Sequence, residues 1–159
     1  MKRLLLFVLP LLLIVGCSKP INENSLIDRN GVKYQQDSQK PYSGKVFRLY
    51  DTGENKKEGI YKDGIQDGLQ TEWYKNGQKM FEKNYKDGNR DGLWTEWYKN
   101  GQKEYEWNYK DEKLDGLFTI WYENGQKMFE KNYKDGILIS KKGWEKDGSV
   151  MDKNSRRNG

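Results

Sequence analysis

The feature that most constrains this chain is that it repeats itself. Asp67-Gly68-Leu69, Asp91-Gly92-Leu93 and Asp115-Gly116-Leu117 recur 24 residues apart. Between them, Glu72-Trp73-Tyr74-Lys75-Asn76-Gly77-Gln78-Lys79 returns at Glu96 to Lys103 and, less strictly, at Ile120 to Lys127. Asn84-Tyr85-Lys86-Asp87-Gly88 returns from Asn108 and in full from Asn132 to Gly136. A period of this length means stacked copies of one small unit, each burying its apolar surface against its neighbours. The copies run over 43–66, 67–90, 91–114 and 115–138, with a partial copy at 139–151.

Each copy reads as a β-hairpin. Asn76-Gly77, Asn100-Gly101 and Asn124-Gly125 predict two-residue type I′ turns, which need positive φ at both positions, so Gly77, Gly101 and Gly125 are the turn glycines. Tyr, Trp, Phe and Thr flank them and suit pleated strands. The second glycine-bearing stretch, residues 86–92, predicts a longer loop to the next hairpin. Two such turns per copy leave no length for a helix. A two-residue turn at Asn76-Gly77 sets Lys75 opposite Gln78, Tyr74 opposite Lys79 and Trp73 opposite Met80. One face then carries Glu72, Tyr74, Phe81 and Tyr85; the other carries Leu69, Thr71, Trp73, Met80 and Glu82. Equivalent residues of successive copies lie two strands, or about 10 Å, apart. Trp73, Trp97 and Trp121 form one row, Tyr85, Tyr109 and Tyr133 a second, and Glu82, Glu106 and Glu130 a third. The fold expected is all-β: an elongated, twisted antiparallel meander of repeated hairpins.

Composition enters through what could fill such a sheet. Aliphatic residues are scarce after residue 17, whereas the chain holds 11 Tyr and 6 Trp. Low hydropathy alone points to disorder, but Tyr and Trp bury large areas while keeping a polar edge for water.

The start of the chain has a different character. Lys2 and Arg3 precede an apolar run, Leu4 to Val15, broken only by Pro10. The run is too short to span a membrane, which takes about 20 apolar residues, and has the length of a signal-peptide core. It ends at Ile14-Val15-Gly16-Cys17, which resembles the lipobox of bacterial lipoproteins, with Ile14 where Leu is usual. That resemblance implies a cleaved signal peptide over 1–16, lipidation of Cys17, and a membrane partner engaged through that lipid. The alternative is an ordinary signal peptide followed by a free thiol. Residues 17–25 read as the lipidated cysteine and a polar tether, 26–151 as the repeat domain, and 152–159 as a disordered polar tail. Ser18 after the cysteine implies the outer membrane if the host is Gram-negative. Loss of the leader lowers 29 basic residues to 27 against 24 acidic ones, an even balance that forms no nucleic-acid-binding face.

The stretch Tyr-Lys-Asp-Gly-x-x-Asp-Gly-Leu-Trp-Thr-Glu-Trp-Tyr-x-Asn-Gly-Gln, from Tyr85 to Gln102, resembles the MORN repeat in its bacterial variant. Arrays of this kind are grouped in bacteria as the YwqK family of proposed antitoxins. The resemblance covers roughly residues 26–151, and Asn30 to Tyr34 with Lys40 to Gly44 resemble that family's lead-in hairpin. It implies hairpins that pack mainly on their neighbours. MORN repeats also flank the catalytic domain of some phosphatidylinositol-phosphate kinases. Here no residues remain for such a domain, and there is no glycine-rich phosphate loop with its lysine.

Nothing in the chain reads as an active site. It has no histidine, the commonest general base and metal ligand, and its one cysteine is the lipidation site. The Glu82, Glu106 and Glu130 row is spaced too widely for a paired-carboxylate hydrolase, and the Asp-Gly pairs lack the ligand density of a calcium loop. No metal, cofactor or nucleic acid is implied. The expected function is a non-enzymatic, lipid-anchored envelope protein that presents its sheet to a protein partner, an antitoxin or immunity role being one version. The alternative is a structural envelope protein whose aromatic rows bind glycan or lipid headgroups. The Trp73, Trp97, Trp121 and Tyr85, Tyr109, Tyr133 rows are either the core of a thin sheet or that binding surface.

Overall fold

A computed structural model describes residues 19–151; the signal peptide expected over 1–16, the lipidation expected at Cys17 and the tail expected over 152–159 lie outside the described residues. The chain opens with β1 (Ile21–Asn22), a 3-10 turn (Glu23–Ser25), β2 (Leu26–Arg29) and β3 (Val32–Gln35). The first repeated hairpin is β4 (Gly44–Leu49) and β5 (Asn55–Lys62), followed by the short β6 (Ile65–Gln66). The second is β7 (Gly68–Trp73) and β8 (Lys79–Lys86), and the third β9 (Asn89–Trp97) and β10 (Lys103–Lys110). Then come β11 (Lys113–Leu114), the fourth hairpin β12 (Gly116–Trp121) and β13 (Lys127–Lys134), and a last strand β14 (Ile137–Gly143). The strands form one open sheet in the order β1-β4-β5-β7-β8-β9-β10-β12-β13-β14, while β2 and β3 pair separately. The expected all-β meander is the observed fold.

The two turns of each repeat exchange the roles expected of them. At Tyr74 to Gln78 the backbone bonds are Tyr74 N–H to the Gln78 carbonyl (2.9 Å) and Gly77 N–H to the Tyr74 carbonyl (3.0 Å). Positive φ occurs at Gly77 (82°) and not at Asn76. This is a type I turn closed by a left-handed glycine, a three-residue loop, and not a type I′ turn. Asn76 is held by tertiary contacts: its amide donates to the Lys99 carbonyl in the next hairpin (2.9 Å), and its side-chain oxygen accepts from Gln78 N–H (3.2 Å). The tight type I′ turns sit at the other end, at Asp63-Gly64, Asp87-Gly88 and Asp135-Gly136, with positive φ at both residues. Lys86 pairs directly with Asn89, so no longer loop separates the hairpins and the meander is continuous.

The third copy has Asp111-Glu112 in that turn, with φ of 49° and 61°. A side chain there costs about 1 kcal/mol or more. Glu112→Gly is therefore expected to raise stability by about 1 kcal/mol, read as a higher urea midpoint with an unchanged slope.

The three-residue loop also corrects the register beside it. Trp73 pairs with Lys79, not Met80, and the ladder then shifts so that Glu72 pairs with Phe81 and Thr71 with Glu82. Met80 is the extra residue, a bulge that takes up the residue added by the loop. Beyond it the expected pairing holds, and so do the two faces apart from Met80.

Successive hairpins are stapled at the loop end. Tyr50, Tyr74, Tyr98 and Tyr122 donate through their hydroxyls to the carbonyls of Trp73, Trp97, Trp121 and Trp144 at 2.6, 2.8, 2.9 and 3.0 Å. Trp144 belongs to a partial fifth copy: it bridges Val150, and Glu145 N–H reaches the Ser149 carbonyl (2.8 Å), as in the complete turns. At the last edge, Ile137, Leu138 and Ile139 of β14 are exposed, and Lys141 and Lys142 in the same strand discourage edge-to-edge pairing.

The sheet is thickest at its start. Tyr42, Val46 and Tyr61 form a small buried core with Ile21 and Leu26 packed on it. Residues 21–25, read from sequence as tether, are part of this structure: Ile21 and Asn22 pair in parallel with Val46 and Phe47, and Glu23 accepts from Lys57 Nζ (2.7 Å) and Tyr61 Oη (2.8 Å). A carboxylate with a basic and a phenolic partner within reach docks where a free tether would not.

Candidate binding face

The ladder sorts side chains onto two faces, and the repeats treat the two differently. One face carries Leu69, Thr71, Trp73, Lys79, Glu82 and Asn84. The third copy has Leu93, Thr95, Trp97, Lys103, Glu106 and Asn108 there, and the fourth Leu117, Thr119, Trp121, Lys127, Glu130 and Asn132. These sets are identical in residue type. On this repeat face the threonines are buried at 8%, 4% and 3% exposure. Lys79 pairs with Glu82, Lys103 with Glu106 and Lys127 with Glu130. The glutamate row is thus an array of partly exposed ion pairs of small individual worth. Lys79 and Lys103 also lie over the Trp97 and Trp121 rings, at 5.7 and 5.6 Å. Trp97 and Trp121 thus each have a lysine over the ring, and all three Trp carbonyls accept from a tyrosine of the preceding hairpin.

On the opposite face the copies diverge. Gln70, Trp94 and Phe118 are equivalent; so are Glu72, Glu96 and Ile120, and Lys83, Trp107 and Lys131. Tyr85, Tyr109 and Tyr133 recur here, so the two aromatic rows singled out in the sequence lie on different faces. The rings form a connected cluster: Trp94 stands 5.3 Å from Tyr85, 5.1 Å from Tyr109 and 6.1 Å from Trp107, while Phe118 lies 5.6 Å from Trp107 and 6.2 Å from Tyr133. All are half-buried. Trp94, Trp107, Tyr105 and Phe118 were not singled out from sequence. Comparing the copies at alternate positions finds Trp94, Trp107 and Phe118, because those positions vary where the other face does not.

Cations and carboxylates are interleaved with these rings. Lys83 lies over Phe81 (4.1 Å), Arg90 over Tyr109 (4.5 Å) and Lys141 over Phe129 (4.1 Å). Glu96 stands between Phe81 and Tyr105 in the ladder; burial, then the nearby Glu104 charge, push its carboxyl above the ordinary glutamate value. Trp94 Nε1 donates to the Asn84 carbonyl (2.9 Å). The Trp107 indole N–H is buried with no acceptor, and a buried donor left so costs about 1–3 kcal/mol. Its counterparts in the second and fourth copies are lysines, so hairpin stability is not what fixes tryptophan there.

Two of the three Asp-Gly-Leu aspartates, Asp67 and Asp115, have a turn role. Asp67 accepts from Asp87 N–H (3.2 Å), and Asp115 from Asp135 N–H (3.4 Å) and Lys134 Nζ (2.8 Å). Among the described residues there is no cluster of three His, Cys, Asp or Glu side chains placed to hold a metal.

An open single sheet of stapled hairpins, with one invariant and one variable face, defines a β-repeat protein. Residues 66–87, 90–111 and 114–135 match the family model of the MORN repeat variant: the chain carries MORN repeats. No curated protein matches the chain.

Proposed function

We propose that this chain is an exported, lipid-anchored envelope protein that binds a protein partner through the aromatic face and catalyses no reaction. The observation that carries this reading is the contrast between faces: the second, third and fourth copies keep identical residues on one face and differ on the other, where Trp94, Trp107 and Phe118 cluster. Trp, Tyr and Arg are the residue types that dominate protein–protein hot spots. The chain's own lysines and Arg90 lie over several of the rings, which favours a protein over stacked sugar rings. The lipobox at Ile14 to Cys17 supports anchoring through Cys17, at the outer membrane if the host is Gram-negative. The resemblance to the YwqK family makes an antitoxin or immunity role the specific version to test: sequestration of an envelope-directed toxin.

The test is an affinity capture from native envelope extract with residues 18–159 as bait. The comparison is Trp94→Gln with Trp107→Lys, which installs the residues of the second copy and is expected to leave the sheet intact by circular dichroism. The expected result is a protein captured by the parent and lost by the double variant. Equal capture by both, or by neither, refutes the reading.

A further inference from the structure

On the face that the other three hairpins share, the first hairpin keeps only Glu58, and Lys45, Phe47, Leu49, Asn55 and Ile60 stand where the later copies have Leu, Thr, Trp, Lys and Asn. Phe47 stands where the later copies have Thr71, Thr95 and Thr119, and Ile60 where they have Asn84, Asn108 and Asn132. Phe47 and Ile60 replace a polar side chain by an apolar one beside Leu69, while Lys45 stands where leucine recurs in the later copies. Phe47, Ile60 and Leu69 line a trough of about 630 Å³, whose lining also includes Lys19, Pro20 and the polar Lys45, Asn55 and Glu58. Ile60 is 38% and Leu69 43% exposed, so part of the trough lining is apolar surface left facing water.

The position of the chain says what could cover it. Lys19 is among the residues that line the trough, and only Ser18 stands between it and Cys17, a reach of about 7 Å. We infer that the trough seats an acyl chain carried by Cys17. The inference rests on the lipid-anchored reading above and adds a site to it. An acyl chain presents only methylene groups, and the apolar trough takes such surface out of water. A multiply acylated cysteine can rest one chain here while the protein crosses an aqueous compartment, and the chain returns to the bilayer on arrival.

The test uses the mature chain from residue 17 with Cys17→Ser, so that no acyl group of its own is present, and nitroxide-labelled palmitate as the probe. The expected result is paramagnetic broadening confined to the signals of Phe47, Ile60, Leu69 and Thr71. Affinity should fall about tenfold or more in Phe47→Thr with Ile60→Asn. Circular dichroism checks that this variant keeps the fold. Equal broadening in both proteins, broadening centred on Trp94 and Trp107, or no broadening overturns the inference. Mass spectrometry of Cys17 in protein extracted from its own membranes separates the two readings. A bare cysteine ends the lipid-anchored reading and the inference as stated, while the palmitate result still reports whether the trough takes an acyl chain.

Discussion

Glu23→Ala is expected to release the N-terminal segment from the sheet and to cost about 3 kcal/mol, the low end for opening a buried ion pair. Glu23 is the single carboxylate shared by Lys57 Nζ at 2.7 Å, Arg48 Nε at 3.0 Å and Tyr61 Oη at 2.8 Å. The Glu23 and Lys57 side chains are 11% and 10% exposed, so removing the carboxylate leaves an ammonium nearly out of water with no counter-charge. Arg48 is more exposed and regains water, which keeps the loss near the low end. The urea midpoint should fall, and limited proteolysis should cut within residues 19–35 before the repeats. Glu23→Leu combined with Lys57→Met should recover most of the loss, because the pair is then replaced rather than broken.

The same contact gives a pH signature. Burial raises the Glu23 carboxyl, but hydrogen bonds from Lys57 and Tyr61 and the charges of Lys57 and Arg48 outweigh it and hold it below the ordinary glutamate value. A depressed carboxyl adds stability that is present above its unfolded value and is lost as pH falls through its folded value. The stability gap between the parent and Glu23→Gln should therefore be constant near neutrality and narrow as pH falls below the glutamate range. A gap that does not change with acidification would show that the charge does not hold the segment.

Gly64→Ala is the second large effect, again about 3 kcal/mol. Gly64 has φ of 77°, and a Cβ there would lie 2.3 Å from Val32 Cγ1, 2.8 Å from the Lys33 carbonyl oxygen and 2.9 Å from Lys33 N. This is where β2 and β3 dock: Lys33 N–H donates to the Gly64 carbonyl (2.9 Å) and Gly64 N–H to the Tyr42 carbonyl (2.7 Å). Left-handed alanine costs about 1 kcal/mol, and pushing backbone away from backbone adds about 2 kcal/mol. Gly77→Ala is the matched control, since Gly77 has φ of 82° and open space around it, so only the conformational part is expected. Chemical denaturation of the two variants reads the difference; equal losses would mean that the lead-in hairpin does not rest on Gly64.

Both effects fall at the amino-terminal end, the part of the fold least visible in the sequence. The repeats announced themselves through periodicity, and with them the hairpins, the antiparallel meander and the division of side chains between two faces, because strand alternation and a fixed period carry that information locally. Residues 21–25 offered no such signal. Ile21 pairs with Val46 and Glu23 with Lys57 across long stretches of chain, and neither contact leaves a local pattern.

The turns divide in the same way. Asn76-Gly77 and Asp87-Gly88 both satisfy the local requirement for a left-handed residue, so the sequence by itself determined that the chain reverses at each. Which one is the tight type I′ turn was decided by tertiary structure, through the Asn76 bond to the neighbouring hairpin and the stapling of Tyr74 to Trp97. Those contacts also fixed the register beside the loop. The sequence alone determined a repeated β-sheet with two chemically distinct faces. Only the folded structure decided that Lys79 and Lys103 lie over the Trp97 and Trp121 rings and that Trp94, Trp107 and Phe118 meet on the other face. Pairing partners in a sheet are set by turn geometry and by strands distant in sequence, and neither is written in the residues of a single strand.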